Sequence, residues 1–271
     1  MHFGKFAKAF APVAAVVFAA GLSGCDGSHI RINGDDGKKL SELDLTGKVP
    51  SQVVLAGPDE VRITQGDKLT IVVEGDAEAT ERMRFTLDGD TLGVLREGKW
   101  SKDSGPVAVV KVTMPAPREL TMAGSGKIVA EALASAAKVT IAGSGSIDTA
   151  KLAGESLELT VAGSGSYRAA GTVKKLDLTV AGSGSASLDG LKVETAKVTI
   201  AGSGDATFAS DGEVSADILG SGSVTVRGRA RCKVSAMGSG KLVCENEAPP
   251  AASPAPEPPA APEPPKPPKA T

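Results

Sequence analysis

From about residue 118 onward, apolar and polar side chains alternate along the chain, and the alternation keeps returning to the same phase around a recurring glycine. At two, four and six positions before that glycine stand Ile141, Val139 and Ala137, then Val161, Leu159 and Leu157, then Val180, Leu178 and Leu176. The next sets are Ile200, Val198 and Ala196, then Ile218, Ala216 and Val214, then Ala236, Val234 and Cys232; the first set is Met122, Leu120 and Arg118. The positions between are Thr, Ser or charged. A period of two predicts a β-strand with one face buried and one wet. Beyond the glycine the pattern resumes at Ile128, Ile147, Tyr167, Leu188, Phe208, Val224, Val226, Leu242 and Cys244.

The glycine is the first in the tetrapeptide Ala-Gly-Ser-Gly and its near-copies, and it falls at residues 124, 143, 163, 182, 202, 220 and 238. The steps are 19, 20, 19, 20, 18 and 18 residues. A short fixed period predicts a solenoid whose repeats stack and share one core. Gly-Ser-Gly sits between two strands, where a sharp corner calls for φ > 0, which glycine reaches without strain. The repeat is too short to hold a helix as well. The remaining residues of each turn, such as 151–155, are expected to form a loose third side. The expected fold is therefore all-β: a parallel β-helix of about eight rungs, with ~4.8 Å between them.

The rest of the chain divides around this domain. Residues 1–24 read as a secretory signal, with Lys5 and Lys8 before an apolar run from Ala9 to Leu22. The run ends Leu22-Ser23-Gly24-Cys25, which resembles the lipobox of bacterial lipoproteins. That resemblance implies lipidation of Cys25 and anchoring to a membrane, and Asp26 after it implies retention at the inner membrane. The alternative is ordinary signal cleavage with Cys25 left as a thiol. Residues 25–48 are a polar tether with a short strand expected at Leu43-Asp44-Leu45. The β-helix domain spans 49–247, with regular rungs over 118–247. Its first, atypical rung is expected at Val53–Ile63, where Ala-Gly-Pro-Asp replaces the usual corner. Residues 64–117 break the period and are expected to cap the N-terminal end of the stack. Residues 248–271 are almost entirely Pro and Ala with a few charges, a composition of polyproline II and disorder.

Several segments together resemble a known family. Val61-Arg62-Ile63-Thr64-Gln65-Gly66-Asp67, Leu87-Asp88-Gly89-Asp90-Thr91-Leu92 and Val112-Thr113-Met114-Pro115 are followed by the Gly-Ser-Gly rungs. In that order they look like the head GIN domain of bacterial auto-transporter adhesins, over about residues 53–243. The resemblance implies a right-handed, single-stranded β-helix in the cell envelope. It implies no catalytic residues.

Charge and composition exclude several functions. Without Lys5 and Lys8 the 30 basic residues fall to 28 against 32 acidic, a net charge of about −4. With one Trp and one Tyr there is no basic stripe or stacking platform, and no nucleic acid is expected as a partner. His29 is the one histidine after the signal, so neither a hydrolase triad nor a zinc site has its ligands. Asp205 is the one acid directly after a Gly-Ser-Gly corner, which leaves a calcium ladder without its repeat. No cofactor and no metal are expected. Glu158, Asp177, Lys197 and the Arg227-Arg229-Arg231 group are scattered, as on a solvated surface.

Three features remain. Thr121, Thr140, Thr160, Thr179 and Thr199 recur at one outward position, and Ser125 to Ser239 recur at the corner. Such columns suit exposed strands and tight turns in their own right; they also compose a regular hydroxyl surface for a glycan. Cys232 and Cys244 lie on the inward columns of the last turn, and they either form a disulfide or stay reduced as small hydrophobes. These features point to a non-enzymatic, lipid-anchored envelope protein that presents a rigid surface for adhesion to a glycan or protein. The alternatives are an envelope scaffold or stress component without an extracellular ligand, or a polysaccharide-active enzyme.

Overall fold

The computed structural model describes residues 32, 34–98 and 105–245. The signal segment, Cys25, His29 and the Pro/Ala-rich stretch lie outside the described residues. The short strand expected at residues 43–45 is not formed: they carry no regular structure and follow a 3-10 turn at Leu40–Glu42.

Strands β1 (Gln52–Gly57) and β2 (Glu60–Gln65) form one rung around the Gly57-Pro58-Asp59 corner. Strand β3 (Thr70–Gly75) follows, then one helical turn at Ala77–Glu81. Asp76 caps that turn, accepting from the amides of Glu78 and Ala79 at 2.9 and 3.4 Å. Strands β4 (Met83–Asp88) and β5 (Thr91–Arg96) form a hairpin, and β6 (Ala108–Met114) completes the irregular part.

The regular stack comprises β7 (Glu119–Gly124), β8 (Lys127–Ala132), β9 (Ala136–Gly143), β10 (Ser146–Gly163) and β11 (Ser166–Gly182). It continues through β12 (Ser185–Gly202), β13 (Asp205–Gly220), β14 (Ser223–Arg227), β15 (Arg231–Gly238) and β16 (Lys241–Glu245). All pairing within this stack is parallel, and at the corner it stays in register: Gly57, Gly124, Gly143, Gly163, Gly182, Gly202, Gly220 and Gly238 lie one above another. The result is a parallel β-solenoid of about seven turns.

The first rung in sequence is not the outermost in space. Strand β5 pairs with β1 and β6 pairs with β2, on the side of that rung away from β7 and β8. The β1–β2 rung is thus sandwiched, and β5–β6 lies outside it. Strands β4 and β3 run antiparallel along the outer edges of β5 and β6.

The third side also departs from expectation. Strands β10 to β12 continue through it, with Leu152 opposite Gly171 and Val173 opposite Gly154 and Val193. Leu152, Val173, Leu191 and Val193 are buried there and extend the core. Register shifts such as the one between Thr149 and Leu152 break the two-residue phase, which is why the pattern reads as a loop.

Two glycine roles fix the corner. Gly182 has φ of +119°, and a Cβ on it would lie 2.5 Å from the carbonyl oxygen of Gly163. Gly184 is blocked differently: its Cβ would meet Val161 Cγ1 at 2.4 Å. Between them Ser183 donates its amide to the Gly163 oxygen at 2.9 Å. The inward columns bury Leu159, Val161, Leu178, Val180, Val198 and Ile200. Arg118, which falls on an inward column by spacing, is exposed at the start of its rung. Tyr167 is wholly buried and donates its hydroxyl to Thr149 Oγ1 at 3.1 Å.

Candidate functional site

The outer face of the sheet that precedes the corner carries three parallel columns. Thr121, Thr140, Thr160, Thr179 and Thr199 are paired in strict register, flanked by Val54 at one end and by Asp217 and Ser235 at the other. Beside them run Ala123, Ala142, Ala162, Ala181 and Ala201, continued by Leu219 and Met237. The third column is charged: Glu119, Lys138, Glu158, Asp177 and Lys197.

The Thr column is not uniformly open. Thr121, Thr179 and Thr199 are partly exposed, while Thr140 and Thr160 are 5% and 7% exposed. They lie between the Ala column and the Lys138–Glu158 ion pair of 3.4 Å. The face is consequently low in relief, with methyl groups and hydroxyls close-packed. The corner serines all remain exposed.

The charged groups mostly meet one another. Lys175 and Asp177 approach to 2.8 Å, and that hydrogen bond with its charge raises the Lys175 ammonium above its ordinary range. Arg227 meets Asp189 at 2.8 Å. Asp211 accepts from Lys192 at 2.7 Å and from the Arg229 amide at 3.1 Å, and these contacts hold its carboxyl below the usual range. A groove of about 470 Å3 opens on the third side beside Lys174, Lys192, Glu194 and Asp211. Lys174 is held by Glu155 at 2.8 Å and Lys192 by Asp211, so both lysines of the groove wall are in ion pairs. Among the described residues no group of His, Cys, Asp and Glu could hold a metal ion.

Cys232 and Cys244 form a disulfide across the last turn, with Cα atoms 6.7 Å apart. One buried charge pair had no sequence signal beyond the altered corner. Asp59 accepts from Arg96 Nε at 2.9 Å and from Arg96 Nη2, and the Ala108 amide donates to the same carboxylate at 2.8 Å.

The family called "Putative auto-transporter adhesin, head GIN domain" matches residues 50–230. The chain belongs to this family. Its GIN domain begins at the sandwiched β1–β2 rung and runs to the start of the final one. Membership places the chain among adhesin-like proteins of the cell envelope. A comparison with curated proteins gave no match.

Solved structures share the fold. A putative adhesin from Bacteroides fragilis aligns with a TM-score of 0.65 at 18% identity, covering 73% of this chain and 93% of that one. A putative adhesin from Parabacteroides merdae gives 0.59 at 16%, and a putative lipid binding protein from Parabacteroides distasonis gives 0.56 at 21%, both with the same coverage. Among the described residues no helix is long and apolar enough to cross a membrane.

Proposed function

We propose that the GIN domain is the rigid, non-enzymatic head of a lipid-anchored envelope adhesin, and that its Thr–Ala face is the surface that meets a glycan. The observation that carries this reading is the in-register pairing of Thr121, Thr140, Thr160, Thr179 and Thr199 beside the Ala column. Flat methyl surface suits the apolar faces of sugar rings, and hydroxyls at ~4.8 Å intervals suit a repeating polymer. Leu22-Ser23-Gly24-Cys25 supports anchoring through Cys25, since a lipidated cysteine with two or more acyl chains holds a protein stably at a membrane.

Two variants of the full chain test it. Thr179→Asp adds a charge at a partly exposed position of the face, and its binding on a glycan array is expected to fall at least about tenfold. Cys25→Ser is expected to lose lipid labelling and leave the membrane fraction. Glycan binding equal to wild type in Thr179→Asp removes the face from the account. Unlabelled wild-type protein removes the anchor.

A further inference from the structure

The two ends of the solenoid differ. At one end β3 and β4 border the outermost rung in antiparallel pairing. At the other, β15 pairs only with β13 and β16 only with β14 among the described residues. Val234 occupies an inward column, opposite the buried Ala216, yet is 53% exposed because no described rung lies over it. Ala236, on the same column, is exposed as well. The apolar core is cut open here, above an unpaired strand edge.

We infer that this open end is a docking surface for a second copy of the same chain, joined end to end about a two-fold axis through the Gly238-Ser239-Gly240 corner. Such an axis sets β15 antiparallel to the partner's β16, and residues equally far from Ser239 meet. Ala236 then faces the partner's Leu242, and Val234 faces the partner's Cys244. All four belong to inward columns, so both cores join without a break.

The edge chemistry agrees with this register. Lys241 donates its amide to Gly222 in the rung beneath at 3.1 Å, and Glu245 accepts there from Gly228 at 3.1 Å. Residues alternate, so Leu242 and Cys244 aim their amide groups off the end. In β15 the position of Lys233 matches Lys138, which donates downward to Arg118 at 2.8 Å. Val234 and Ala236 therefore also aim outward. Antiparallel strands exchange hydrogen bonds in alternate pairs, and the two pairs named are the ones able to exchange them.

Charge agrees as well. Lys233 meets the partner's Glu245, and no like charges stand opposite. The Cys232–Cys244 disulfide fixes β15 and β16 relative to one another, so the surface is preorganised. In the sequence after β16, Pro249, Pro250, Pro254 and Pro256 lack the amide that strand pairing uses.

Sedimentation equilibrium of the full chain in mild detergent tests the pairing. Wild type is expected at twice the chain mass. Ala236→Pro removes an amide that aims away from the rung beneath, so its dimer is expected to weaken about tenfold or more while its melting stays as in wild type. Lys233→Glu and Glu245→Lys should each weaken the dimer about tenfold, and the double exchange should restore it. A wild-type monomer at every concentration overturns the inference. So does a dimer indifferent to Ala236→Pro and to the charge exchanges, or one formed only after residues 246–271 are removed.

Discussion

Asp59 and Arg96, both buried, lock the corner of one rung to the end of a strand in the rung beside it. Arg96 closes β5, Ala108 opens β6, and the carboxylate of Asp59 binds both. The β5–β6 rung has no Gly-Ser-Gly corner, and the Asp59 side chain bridges the two strand ends instead. Arg96 also donates to the Pro106 carbonyl at 3.0 Å.

Removing that carboxylate should be costly, because a buried guanidinium loses the charged partner that binds two of its nitrogens. Breaking such a pair typically costs about 3–5 kcal/mol. Asp59→Ala is expected to lower the melting temperature by roughly 10 °C. The double variant Asp59→Ala/Arg96→Met, which also removes the charge, should recover part of that loss. Equal melting of the single and double variants would show that the buried charge is not the cause.

The corner makes a second prediction. Gly182→Ala forces a Cβ to 2.5 Å from the Gly163 carbonyl oxygen in a left-handed conformation. Strain of this kind costs about 1–3 kcal/mol before any clash is counted. Ser183→Ala, one residue on and exposed, should cost less than about 0.5 kcal/mol. Chemical denaturation of the two variants is the comparison to make.

The single tyrosine provides a pH readout. Burial pushes the Tyr167 phenol well above its ordinary range, against a smaller opposing effect of its bond to Thr149. The folded state therefore holds the neutral form, and the stability this contributes is complete below the unfolded value of about 10. It is lost as pH rises above that value, because the unfolded chain releases the proton first. Phenolate absorbance should appear only with unfolding, and Tyr167→Phe should flatten the alkaline loss. A phenol that titrates near 10 in folded protein contradicts the burial.

The disulfide predicts a local loss. Reducing Cys232–Cys244 frees the last turn, a closure that for a loop this short is worth ~3 kcal/mol. Hydrogen exchange should then speed up at β15 and β16 and stay unchanged at β11 and β12. Two free thiols in unreduced protein would contradict the bond.

These residues also show what was legible in advance. Val180 and Thr179 reveal their faces because each strand keeps a phase of two, and Gly182 reveals its corner because every turn needs the same φ. Leu152 and Val173 did not stand out, since bulges between the columns shift the phase. The sandwiched position of β1–β2 depends on which rung pairs with which, and Val53-Val54-Leu55 carries no label for that choice. Asp59 and Arg96 are 37 residues apart, and only folding brings them together. The Thr recurrence was readable, but the burial of Thr140 and Thr160 was not, because it comes from neighbours on adjacent rungs.

The Thr–Ala face and the open end both depend on which side chains of each strand point inward, and one pair of neighbours tests that. Val180 is wholly buried at mid-stack, and Thr179 lies partly exposed on the opposite side of the same strand. A carboxylate at 180 is shut away from water, whereas one at 179 reaches it. Thermal unfolding of the full chain should show Val180→Asp unfolded or destabilised by at least 10 °C, roughly 3 kcal/mol or more, with Thr179→Asp within a few degrees of wild type. Equal melting of the two variants would contradict the assignment of faces, and with it the surface proposed for binding.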